Sequence, residues 1–107
     1  MDAKVFETTI ILDDDKVKES PYSKESIYAY LDKVFTAVGM VRVDNTFKHG
    51  TFAEVGGAMS SLFKLEWFMK MVKEWTLVEK DGEHIVSTEN VLGSKLLRKR
   101  YLNKYGL

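Results

Sequence analysis

The sequence predicts an α+β fold, and three patterns carry that prediction. Lys4–Leu12 (KVFETTIIL) is rich in β-branched residues whose side chains alternate. Residues 23–38 place apolar side chains at helical spacing. Asp81-Gly82 lies between two short apolar runs, which is a hairpin signal. A chain of 107 residues holding strand, helix and hairpin reads as a single α+β domain over positions 1–107.

In order, the first strand has Phe6, Thr8, Ile10 and Leu12 on one side, and Asp13-Asp14-Asp15 stop it. Residues 16–22 read as a loop around the only proline, Pro21. The helix at 23–38 sets Ile27, Tyr30, Leu31, Val34, Phe35 and Val38 on its inner side. Ser23 suits its N-cap and Gly39 its C-terminal turn. Residues 40–47 and 51–55 read as two strands, with Lys48-His49-Gly50 as their turn. Gly56-Gly57 is expected to break the chain before a long helix over 58–75. Thr76 to Lys80 and Glu83 to Ser87 form the last hairpin, with Val78 opposite Ile85 and Leu77 opposite Val86. A final helix spans 90–105, interrupted by Gly93.

The first six elements run β-α-β-β-α-β. That is the order of a ferredoxin-like sandwich, here extended by a C-terminal strand and helix. A winged-helix-like arrangement is the alternative, with the Asp81-Gly82 hairpin as the wing.

Composition is globular: 45% hydrophobic, 30% charged, one proline. There is no cysteine, so disulfides and thiolate chemistry are excluded. No segment has the apolar length of a signal peptide or a membrane span, and a cytoplasmic protein is expected. Net charge is zero, yet Lys95, Arg98, Lys99, Arg100 and Lys104 put +5 on the last thirteen residues and leave −5 on the rest. That balance argues against a dedicated nucleic-acid binder, although the basic tail keeps the possibility in view.

The 58–75 segment carries the main functional signal. Leu62, Leu65, Met69 and Val72 form one apolar stripe at helical period, extended by Phe68 and Trp75. Met59, Phe63, Trp67 and Met71 form a second stripe at spacing four. A helix apolar on two sides is either sandwiched in its own domain or offers a side to a partner. Met59, Phe63, Trp67 and Met71 are therefore the candidate protein interface, rich in the Met and aromatic residues that interfaces favour.

Other features have weaker functional readings beside ordinary ones. The tail cations Lys95, Arg98, Lys99, Arg100 and Lys104 could contact phosphates, with Tyr101 and Tyr105 stacking. On a helical wheel, however, Arg98 and Arg100 lie about 160° apart, so the ordinary reading is a solvated helix anchored by Leu97, Tyr101 and Tyr105. Gly56 and Gly57 could expose amides to an anion, but no phosphate-loop spacing accompanies them, and a hinge is the ordinary reading. Asp13, Asp14 and Asp15 could hold a hard cation, yet Lys16 and Lys18 oppose it. His49 and His84 would need carboxylates to complete a zinc site and read as surface residues; His84 is expected opposite Glu79.

No set of polar groups converges as catalysis requires. The expectation is a small non-enzymatic interaction or regulatory protein acting through protein contacts. Self-association as a homodimer through the 58–75 helix leads. No cofactor, metal or membrane is expected. The alternative is a nucleic-acid-associated protein using the basic C-terminal helix.

Overall fold

A computed structural model describes residues 4–105. The elements are β1 (Lys4–Leu12), α1 (Asp14–Lys18), α2 (Lys24–Thr36), β2 (Val41–Val43), β3 (Thr46–Gly50), α3 (Phe52–Phe63), α4 (Glu66–Met71), β4 (Val72–Asp81), β5 (His84–Asn90) and α5 (Lys95–Tyr105). The five strands make one antiparallel sheet in the order β2-β3-β1-β4-β5. This is a small α+β domain, and its fifth strand makes the order differ from a plain four-stranded arrangement. The Asp81-Gly82 hairpin belongs to this main sheet rather than to a separate wing.

β1 forms as its alternation predicts. Phe6, Thr8, Ile10 and Leu12 are buried, while Val5, Glu7, Thr9 and Ile11 stay partly accessible. α2 begins at a capping box in which Ser23 Oγ accepts from the Ser26 amide and Ser26 Oγ accepts from the Ser23 amide. Ile27, Leu31 and Phe35 are its buried residues; Tyr30, expected inside, is 37% exposed. Gly39 closes the helix at φ +85°, with the Met40 amide donating back to the Phe35 carbonyl, the pattern of a Schellman turn.

The aspartate run differs from the expected loop, because it starts a helix. Asp13 Oδ1 accepts from the amides of Asp15 and Lys16, which makes it the N-cap of α1. Asp14 pairs with Lys24 instead of waiting for a cation.

The second strand expected at 40–47 is two strands. The turn falls at Asp44-Asn45, where Asp44 takes φ +56°, a conformation that Asp adopts more readily than most residues. Lys48-His49-Gly50 is therefore strand, with the β1–β3 register shifting between Phe6 and Thr8. His49 lies near that shift at φ +71°.

The expected strand at 51–55 is the start of α3. Thr51 Oγ1 accepts from the Glu54 amide, and Glu54 Oε1 accepts from the Thr51 amide. That capping box nucleates the helix through Gly56 and Gly57, which sit inside it and break nothing.

The long 58–75 helix is not formed. α3 stops at Phe63, Leu65 starts α4 without a side-chain cap, and the chain turns to strand at Val72. Trp75 is consequently a strand residue opposite Ile10. The last hairpin turns at Gly82-Glu83, with Gly82 at φ +63° and Asp81 opposite His84. A register shift between Glu79 and Lys80 then sets Lys80 against Ile85 and Val78 against Thr88, replacing the expected pairs. β5 is an edge strand exposed along all its residues. Asn90 ends β5, and α5 starts after Ser94, whose Oγ accepts from the Leu97 amide.

The core lies between the sheet and the helices. Phe35 stacks on Phe47 at 4.3 Å, and Phe63 and Phe68 meet Trp75 at 5.1 and 5.7 Å. Trp75 Nε1–H donates to Thr8 Oγ1 at 2.7 Å, and that hydroxyl donates to the Thr76 carbonyl at 2.8 Å. Both polar groups of this buried pair are thereby satisfied.

Candidate functional site

The four residues of the expected interface stripe separate once the helix divides. Met59 on α3 is fully buried, and Met71 at the end of α4 is 8% exposed. Phe63 is half-buried against Trp75. Trp67 on α4 is half-buried, and it reaches the surface in new company. Its ring lies 4.7 Å from Tyr22, tilted by 33°, and 5.7 Å from Tyr30, edge-on. Phe68 supports it from below at 6.0 Å.

Local structure explains how these three aromatics meet. Pro21 and the Ser23 cap hold Tyr22 just ahead of α2. Tyr30 sits on the flank of α2, beside the buried Leu31. α4 turns Phe68 fully inward, which leaves Trp67 on the adjoining flank. Tyr22 is 41% exposed and Tyr30 37%, so the trio forms an aromatic patch on the helix side of the molecule. Such rings offer large contact area at low side-chain entropy cost, with hydroxyl and indole groups at their edges. Sequence reading found Trp67 but not its partners. The signal that points to them is Tyr22 beside Pro21 at the helix cap, in a segment whose composition is that of a loop.

Nearby, Tyr28 Oη–H donates to the Ile10 carbonyl at 2.7 Å, and the Arg42 guanidinium lies 5.2 Å over its ring. Burial pushes the Tyr28 phenol above its ordinary pKa. Arg42 also forks onto Asp32 at 2.6 and 3.1 Å, pinning β2 to α2. Lys24 holds the Asp14 carboxyl below its ordinary value by hydrogen bond and charge.

The tail cations serve varied ends. Arg98 Nη1 donates to the carbonyls of Val91 and Leu92 at 2.8 and 2.6 Å, which ties the loop before α5 to the helix. Lys104 lies 5.1 Å over the Phe52 ring. Lys95, Lys99 and Arg100 are exposed. Leu97 and Tyr101 anchor the helix, and the Tyr101 carbonyl accepts from Ser60 Oγ at 2.9 Å. The Tyr105 side chain lies outside the described residues.

Gly56 and Gly57 are helical, so their amides face no loop where an anion could sit. His49 lies in β3, and His84 faces Asp81 across the hairpin rather than Glu79. Among the described residues, no group of three or more His, Asp or Glu side chains could hold a metal. A depression of about 250 Å³ opens between Thr9, Ile11, Trp75, Thr76, Asn90 and Leu92. Among the described residues, no helix is long and apolar enough to cross a membrane. In comparisons with protein families, curated proteins and solved structures, the chain matches none.

Proposed function

We propose that this chain is a small non-enzymatic interaction protein, and that a protein partner docks on the aromatic patch of Trp67, Tyr22 and Tyr30. One observation carries the reading: three large aromatics from separate elements converge at the surface, two of them more than a third exposed. Trp and Tyr in such clusters supply much of the binding energy at protein interfaces. Of the sequence-expected stripe, Met59 and Met71 are buried, Phe63 and Trp67 stay partly accessible, and Trp67 is the one that meets Tyr22 and Tyr30. The strand order β2-β3-β1-β4 with antiparallel pairing supports a ferredoxin-like core to which β5 and α5 are added.

The test is site-specific photo-crosslinking in cells. A photoreactive phenylalanine analogue replaces Tyr22 in one variant and Lys99 in another. Discrete adducts from position 22, absent at 99 and lost when Trp67 is also changed to Ala, are expected. No adducts from position 22, or the same adducts from both positions, would sink the proposal.

A further inference from the structure

The sheet has a second face, and register identifies it residue by residue. Thr9 pairs with Thr46 on one side and Thr76 on the other; Glu7 pairs with Val78 and Val5 with Lys80. On the edges, Val41 and Val43 fall on this face through Lys48 and Thr46, and Ile85 and Thr88 through Lys80 and Val78. None of these residues is buried, and Val41, Val43 and Ile85 are 55%, 52% and 55% exposed. An antiparallel sheet with one wet face normally makes that face polar. Here valine, isoleucine and threonine dominate it.

We propose that this face packs against the same face of a second copy of the chain, as a two-fold symmetric pair of stacked sheets. Three features select that occupant. The first is polar satisfaction inside the face. Lys80 Nζ lies 3.1 Å from Glu7 Oε2, with side-chain exposures of only 26% and 17%, and the hydroxyls of Thr9 and Thr46 share a hydrogen bond at 2.8 Å. These groups can be covered without losing a partner, which burial demands.

The second is charge. Register places Glu7, Lys48, Glu74 and Lys80 there, and they cancel; Lys73, at the β1–β4 shift beside Thr9 and Ile11, adds one positive charge. So small a net charge scarcely repels an identical face. An anionic polymer finds one surplus cation, and single-stranded RNA finds none of the aromatic rings on which sheet-binding bases stack.

The third is size. At strand spacings of about 4.8 Å and rises of about 3.3 Å per residue, the sheet presents on the order of 500 Å² in projection. The accessible area of a corrugated face is larger. A stable interface needs about 800 Å² per partner, roughly an eighth of the 6635 Å² that the chain exposes. The sheet lies on the opposite side from Trp67, so this contact and the aromatic patch stand or fall separately.

Light scattering after size exclusion, across a dilution series, tests the proposal on the full chain. Twice the 12.3 kDa chain mass is expected, falling to the chain mass in Val78→Lys. A wild-type mass of 12.3 kDa at every concentration overturns it, as does a folded Val78→Lys that keeps the double mass. If that variant fails to fold, a wild-type sample mixing isotope-labelled and unlabelled chains decides. Intermolecular nuclear Overhauser contacts at the methyls of Val5, Val43, Val78 and Ile85 support the stacked pair. Contacts confined to the helix side, around Trp67, refute it.

Discussion

Replacing Thr8 by Val probes the polar pair at the centre of the core. Thr8 and Trp75 are both fully buried. The Thr8 hydroxyl accepts from the indole N–H at 2.7 Å and donates to the Thr76 carbonyl at 2.8 Å. Val keeps the side-chain shape and removes the oxygen. Shape-related loss is therefore small, while the indole N–H is left buried without an acceptor. An orphaned donor of this kind costs about 1–3 kcal/mol. The carbonyl loses one contact but keeps its second lone pair for the strand ladder. A total near 2 kcal/mol follows, which corresponds to a fall in Tm of roughly 10 °C for a chain of this size.

The assay is urea unfolding followed by far-UV circular dichroism, since tryptophan fluorescence would change with the mutated partner. The cycle needs Thr8→Val, Trp75→Phe and the double variant. Phe has no N–H, so Thr8→Val in that background is expected to cost at least about 1 kcal/mol less. Thr8→Ser keeps the oxygen and loses one methyl, and is expected to cost about 1 kcal/mol. If Thr8→Val lies within about 0.5 kcal/mol of wild type, or costs as much in the Trp75→Phe background as in the wild-type one, the hydrogen bond is not what holds this site.

Three further outcomes follow from the same geometry. Gly50→Ala would bring a methyl to 2.5 Å from Val55 Cγ2 and 2.8 Å from Met40 Sδ; overpacking of about 1–3 kcal/mol is expected in thermal unfolding, and an unchanged Tm would contradict that packing. Arg98→Ala removes the donor to the Val91 and Leu92 carbonyls, and it is expected to cost about 1 kcal/mol and to speed amide exchange in the Val91 to Ser94 turn without a general loss of protection. The Glu54 carboxyl lies below its ordinary pKa because the Thr51 amide and hydroxyl favour its charged form. A lowered folded pKa means stability that is full above the unfolded value and lost as pH falls through the folded one. Glu54→Gln keeps an acceptor without the charge, so its stability profile is expected to be flatter than wild type in that acid window, and parallel profiles would remove Glu54 from the acid response.

Much was legible where one face of an element is buried and the other wet. β1 and α2 are of this kind: Phe6, Ile10 and Leu12 alternate, while Ile27, Leu31 and Phe35 recur at helical spacing. The Ser23 cap ahead of α2 was legible too, whereas Thr51 with Glu54 ahead of α3 lies in a segment whose pattern reads as a strand and whose two glycines read as a break. A side-chain oxygen three residues from its amide partner is a local matter, and local chemistry can be read along a chain.

The tertiary structure alone decided the rest. Between Ala58 and Trp75 the apolar residues are so dense that a period of 3.6 and a period of 2 both fit, and periodicity cannot separate them. Pairing with β1 chose between them: once Leu12 and Ile10 offered an edge, Val72 and Trp75 became strand, and Met59 and Met71 went into the core. The same holds for the surfaces. Trp67 meets Tyr22 and Tyr30 only because α4 folds against α2 and the turn before it. Val41, Val43, Val78 and Ile85 share a face only through the register of four strand pairs. Composition and period determine which residues seek burial. Which of them find it, and which are left at the surface for another molecule, depends on contacts between residues far apart in the chain.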